Sequence, residues 1–130
     1  MDKGTLLVVV PQPTCPVTLS SAVHAASDYL KSATLRNNSD SVLTGFRIGW
    51  MVEIPARKAQ IHFGKHVNFR EGIKPNGSCA VPAQAVSVHK HRTLAAVIAF
   101  FVAEVFLLGQ APWTADLREI EDEVTQITGN

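Results

Sequence analysis

Charge is scarce in this chain. Charged residues fill 18% of its 130 positions, against roughly 25% in an average soluble domain, so its surface is thin in charge or partly covered. Twelve Lys and Arg against 11 Asp and Glu leave a net charge of +1. That balance argues against a dedicated nucleic-acid binder, which needs a basic face to displace phosphate counterions. Cysteine is nearly absent: Cys15 and Cys79 are the only two, and neither sits in a C-x-x-C or other metal-like spacing. They either close one disulfide, worth about 4 kcal/mol in the chain-entropy account, or remain two thiols, and the sequence leaves both open. The chain also lacks an apolar run long enough to span a bilayer. The longest, Leu94–Leu108, has 15 residues and is interrupted by Glu104, short of the ~20 that a spanning helix needs. At the N-terminus the apolar part of Thr5–Val10 is only five or six residues long, against about 7–15 in a signal peptide. Internal repeats and a linker are missing too, so residues 1–130 are expected to form one domain.

Apolar residues, at 46%, are what the chain does have, and this excludes disorder. Thr5–Val10 is apolar and β-branched, which predicts a strand, and Pro11-Gln12-Pro13-Thr14-Cys15-Pro16 holds an extended tether behind it. Residues 20–26 read as a helical turn or a loop. Alternation begins in Tyr29–Arg36 and gives way to the turn signal Asn37-Asn38-Ser39-Asp40-Ser41. In Val42–Ile54 the residues Phe46, Ile48, Trp50, Val52 and Ile54 fall at period two, with Arg47 and Glu53 on the other face. Trp50 is read as a core residue, and Arg47 and Glu53 as a solvent-side charge pair. After a turn at Pro55–Lys58, Ala59–Phe69 predicts one strand, with Ile61, Phe63, Val67 and Phe69 in phase.

Gly72–Gly77 is a further turn, and Ala80–Val88 a short strand that Pro82 demotes to an edge. Leu94–Leu108 is apolar on both faces and reads as a central strand buried on both sides, although periodicity alone also permits a helix. Trp113, Ala115 and Leu117 alternate in a last strand. Leu117, Ile120, Val124 and Ile127 then form one helical stripe, with Asp116 and Glu119 as its N-terminal capping pair, which predicts a helix over residues 118–128. Six or seven strands with turns every 8–12 residues or so imply an all-β sandwich with a short C-terminal helix.

The stretch Leu35-Arg-Asn-Asn-Ser-Asp-Ser-Val-Leu-Thr-Gly-Phe-Arg-Ile-Gly-Trp50 resembles one in small bacterial immunoglobulin-like domains, where an Asn-x-Ser turn leads into an aromatic–Arg–Ile–Gly–Trp strand. Gly72-Ile-Lys-Pro-Asn-Gly, Val81-Pro-Ala-Gln, Phe100-Phe-Val-Ala-Glu-Val-Phe and Trp113 through Ile120 are similar to the rest of that pattern, over about residues 28–122. The resemblance implies an immunoglobulin-like sandwich of about seven strands and an extracytoplasmic location, and it carries over no catalytic residue. The hairpin Leu107–Pro112 departs from the acidic or Gly-rich one usual in these domains, and no export signal is recognisable in the chain.

Motifs for chemistry are thin. His89 and His91 share a strand face, as do His62 and His66 if their strand is straight, and four such imidazoles are the one candidate metal set. Histidines exposed on hairpins are the simpler reading. Gly72–Ser78 has the frame of a phosphate loop, but Ser78 stands where Lys is needed, Pro75 interrupts it and no helix follows. Two sequons begin at Asn37 and Asn76 and would count only in a eukaryotic secretory pathway. A nucleophile elbow is lacking, and nothing ties either cysteine to a histidine and an acid.

The expectation is therefore a non-catalytic structural or interaction module without a cofactor, partnered by itself or by another protein. Self-association would use the apolar strands, with Leu6, Val8, Val10, Phe100, Val102, Phe106 and Leu108 as interface candidates, and residues 5–10 available for strand addition to a neighbour. The alternatives are a monomeric module that binds a protein or glycan, and a metal-binding protein using His62, His66, His89 and His91.

Overall fold

The computed structural model describes residues 6–20, 29–30, 33–54, 58–81, 84–85 and 97–128. Thr5, residues 21–26, the turn at Pro55–Arg57, residues 86–88 of the expected edge strand, residues 94–96 of the long apolar run, and the pair His89 and His91 lie outside them. The described residues form β1 (Leu6–Val9), β2 (Val17–Ser20), β3 (Tyr29–Leu30), β4 (Thr34–Asn37), β5 (Leu43–Glu53), β6 (Gln60–Phe63), β7 (Val67–Ile73), β8 (Ser78–Ala80), β9 (Gln84–Ala85), β10 (Val97–Leu107), β11 (Trp113–Thr114) and α1 (Leu117–Thr128). The fold is mostly β, with one short C-terminal helix.

One sheet has the order β1-β10-β5-β6, with β11 also beside β10 and β7 also beside β5; a second has the order β2-β4-β8, and β3 and β9 form a separate pair. Alternation along each strand sorts the apolar side chains between two cores. Phe46, Ile48 and Val52 of β5 and Ile98, Phe100 and Val102 of β10 meet Val17, Leu19 and Leu35 of the smaller sheet. Their neighbours Met51, Ala99, Phe101 and Ala103 point the other way and meet Ile120 and Val124 of α1. The molecule thus has three layers, small sheet, large sheet and helix, and β10 lies in the middle one. This is why β10 is apolar on both faces, as its composition implied.

Helix α1 begins where the capping signal placed it. Asp116 Oδ1 accepts the Arg118 N–H at 2.9 Å, so it satisfies one of the orphan donors of the first turn. Of the apolar stripe, Ile120 and Val124 are buried, while Leu117 and Ile127 at its two ends are exposed. Gly49 of β5 lies under the ring of Phe101: a Cβ there would come within 2.6 Å of Phe101 Cζ, so only glycine fits.

Four elements depart from the sequence reading. The strand expected over Ala80–Val88 is not one strand: β8 ends at Ala80, Val81 lies outside any strand, and β9 takes up only Gln84–Ala85. Residues 59–69 form two strands, because the chain breaks at Gly64–Lys65–His66. Gly64 N–H still bonds the Ile48 carbonyl at 2.8 Å, but its own carbonyl accepts the Arg47 Nε–H at 2.9 Å, and a side chain has taken a backbone partner's place. Strand β7 then runs on to Ile73, with a register irregularity against β5 between Leu43 and Gly45. Strand β2 follows directly on the prolines and buries Val17 and Leu19 alternately. The last strand, β11, is only two residues long.

Candidate functional site

Among the described residues the N-terminal strand β1 is an edge of the large sheet, with a strand partner on one side. Strand β1 reads Leu6-Leu7-Val8-Val9, without a charge, and runs parallel to β10 in the register Leu6↔Val97 to Val9↔Phe100. Val10 N–H donates to the Phe100 carbonyl at 2.8 Å. Because strand groups alternate in direction, Val8 and Val10 turn their backbone toward β10, while Leu7 and Val9 turn theirs away from it. Among the described residues no strand pairs with that outer side. Leu7 is buried and Val9 half-buried, both against the core between the sheets, so these outward N–H and C=O groups sit beside apolar surroundings where hydrogen bonds matter most.

Strand β10, by contrast, has its edge closed along its length. Beyond Val10 the chain reaches Pro11, which has no N–H to give, and the next residue substitutes its side chain. Gln12 Oε1 accepts the Val102 N–H at 2.7 Å, and Gln12 Nε2 donates to the Val102 carbonyl at 2.8 Å. Next, Ala115 N–H bonds the Ala103 carbonyl at 2.9 Å, and β11 pairs with Glu104 and Val105. The open edge of the sheet has been passed outward from β10 to β1.

The opposite edge, made by β6 and β7, is protected in the ways natural edges usually are. It is interrupted at residues 64–66 and irregular in β7, and it exposes Lys58, Lys65 and Arg70.

Most of the interface candidates serve the chain's own interior. Val10, Phe100 and Val102 are buried in the two cores, Val8 is half-buried on the helix side, and Phe106 is half-buried with its ring 5.5 Å from that of His66. Among the candidates whose burial is described, only Leu108, in the turn after β10, is freely exposed, at 65%. Leu6 pairs with Val97.

The two candidate histidines among the described residues, His62 and His66, do not converge. His62 stands opposite Trp50, with ring centroids 6.1 Å apart, on the face that carries the sheet–sheet core. His66 Nε2 lies 3.6 Å from Glu104 Oε1, on the helix face. The break at Gly64 separates them, so they do not share a face as a straight strand would require. Among the described residues no three His, Cys, Asp or Glu side chains are placed to hold a metal ion. Trp50 is half-buried at the margin of the core, tilted against Phe100 with centroids 6.3 Å apart.

Arg47 pairs with Glu104, its cross-strand neighbour in register, at 3.4 Å, and not with Glu53. Its guanidinium also lies 5.3 Å from the centre of the Phe63 ring. Since both side chains are about a third exposed, this pair contributes no more than about 1 kcal/mol. A separate groove of about 320 Å³ runs between the proline tether and α1, and Trp113, Glu119, Asp122 and Glu123 are among the residues lining it.

Both cysteines are free thiols. Burial pushes the Cys15 thiol up to about 11, against a small opposing effect of a backbone hydrogen bond at Val17, and burial also raises Cys79. The sequon at Asn37 is unusable, because that side chain is fully buried and its hydrogen-bonding capacity is filled. Asn37 Nδ2 donates to Ser41 O at 2.8 Å and Ile73 O at 2.9 Å, and Oδ1 accepts from Ser39 N and Ser39 Oγ at 3.0 and 2.7 Å. Asn76 is exposed in its turn, with φ 66°.

The residues that sequence reasoning passed over are Gln12 and Asn37 as structural ties. Each carried a faint signal, a lone amide between two prolines and an Asn-x-Ser turn. Comparison with protein-family models, with characterised proteins and with solved structures finds no match for this chain.

Proposed function

We propose that this chain is a non-catalytic interaction module, built on an immunoglobulin-like sandwich, that associates with copies of itself through the outer edge of β1. Two sheets sharing one core support the sandwich part of this reading, together with the resemblance carried by Leu35–Trp50. The observation that carries the functional part is β1: four apolar residues at the end of the large sheet, with no charge, proline or bulge in them, whose outward backbone groups have no strand partner among the described residues. Soluble proteins usually guard such an edge, and an unguarded one recruits another strand.

The contact belongs to the edge of β1 and not to the faces of β10. Helix α1 and the smaller sheet cover those faces, and β1, Gln12 and β11 close the β10 edge. As β1 already pairs with β10 of its own chain, it adds a neighbour without leaving home. Light scattering on the purified chain at micromolar concentration tests this. A mass above that of the 14.1 kDa chain is expected, and a monomer at every concentration overturns it.

A further inference from the structure

We infer that the groove between the proline tether and α1 takes an arginine side chain, carried by a basic peptide segment of a partner protein. This site lies apart from the outer edge of β1 and stands whether or not the chain self-associates. The groove has a volume of about 320 Å³; its tether side carries Pro11 and Pro13, its helix side Glu119, Asp122 and Glu123, and Trp113 lines it as well. No lysine, arginine or histidine is among its lining residues. Five of the chain's 11 acidic residues fall within residues 116–123, with Arg118 as the one basic residue there, and Arg118 does not line the groove. Glu119 and Glu123 are four residues apart on α1, a spacing at which like charges lie side by side and weaken a helix. Among the described residues neither has an ion-pair partner. A cation seated between them removes that repulsion.

Charge complementarity thus calls for a cation, and the rest of the lining says which kind. A hard metal ion needs several converging ligands, and among the described residues no three His, Cys, Asp or Glu side chains are placed to hold one. Arginine brings an apolar stem, which the prolines and Trp113 cover, and a planar guanidinium that stacks on an indole and donates in a fork to carboxylates. Pro11, Pro13, Glu119 and Asp122 are exposed, so the groove is open to solvent. An arginine enters it while the chain that bears it stays outside.

Isothermal titration calorimetry of the full chain with a capped tetra-arginine peptide tests the site. The wild-type chain should bind the peptide, and more weakly as salt rises. Glu119→Gln combined with Glu123→Gln should weaken binding about 10-fold, because two partly exposed ion pairs are lost together. Glu71→Gln combined with Glu121→Gln removes the same charge from exposed positions outside the groove, and should change the affinity by less than about twofold. The emission of Trp113, read in Trp50→Phe, in which Trp113 is the sole tryptophan, should change on binding. That reading decides if the groove variant does not fold. Absence of binding by the wild-type chain, or unchanged Trp113 emission, overturns the site. Equal losses in the two double variants overturn it too, since they mean attraction by net charge alone. Spermidine binding as tightly as the peptide overturns the peptide as occupant.

Discussion

Gln12 and Val102, ninety residues apart in the chain, are joined by two hydrogen bonds that imitate a strand pair, one from the Val102 N–H and one to its carbonyl. The pairing that β1 begins would otherwise stop at Pro11, and Val102, almost fully buried, would keep two unmet backbone groups. The side-chain amide of glutamine presents an N–H donor beside a C=O acceptor, the two kinds of group that the backbone of a strand neighbour would offer. It is the joint between β1 and β11 along the edge of β10.

Gln12→Ala should therefore destabilise the fold by about 2–4 kcal/mol, since it orphans a buried donor and a buried acceptor together. Gln12→Glu should cost a similar amount at neutral pH, because a carboxylate cannot donate to the Val102 carbonyl, and should recover partly when acid protonates it. Urea unfolding at two pH values measures both.

Asn37 ties the turn after β4 to the end of β7 through Ser41, Ser39 and Ile73. Its amide is fully buried and fully satisfied, so Asn37→Asp sets a buried carboxylate against two carbonyl oxygens. A loss of about 3 kcal/mol or more is expected, read from the same unfolding curves. Asn76→Asp, exposed in its turn, should leave stability nearly unchanged.

Gly49→Ala forces a methyl group into the Phe101 ring and should cost about 1–3 kcal/mol. Phe101→Leu removes the obstacle at a cost of its own. The double variant should be more stable than the sum of the two single losses implies, because the residues share one contact. A double-mutant cycle on the melting transition checks this.

The Cys15 thiol sets an alkaline limit. Its folded value of about 11 lies above the ordinary 9.0, so between these pH values the unfolded chain loses a proton that the folded chain keeps. Stability from this group is full below pH 9 and falls as pH rises toward 11, by roughly 2–3 kcal/mol at most. Cys15→Ala should flatten that slope in unfolding measurements across the alkaline range. In the native protein, Cys79 should react with iodoacetamide faster than Cys15, which is buried.

Strand β5 was legible because period-two alternation is a local signal, and β10 because a strand buried on both faces cannot hide its composition. The stripe Ile120 and Val124 was legible as well. What local sequence did not say is that this stripe covers the outer face of β10, because the docking of a helix onto a sheet is decided by contacts far apart in the chain. The same reason separates Arg47 from Glu53: the true partner, Glu104, is set by register between β5 and β10. The histidine pair failed on a smaller matter, since one side-chain bond from Arg47 to Gly64 accompanies a break in the strand that alternation treats as straight. Strand β2 was hidden by the prolines before it, although Val17 and Leu19 alternate as a strand should.

The scarcity of charge now has a structural meaning. Much of the apolar surplus is absorbed by a three-layered fold, and among the described residues the large apolar side chains left exposed, Phe63, Leu108, Leu117 and Ile127, lie apart from one another in the chain.

The mass of the wild-type chain in solution, measured by light scattering over a wide concentration range, tests the proposed self-association most directly. A concentration-dependent rise above 14.1 kDa is the predicted result. A constant 14.1 kDa throughout would contradict it.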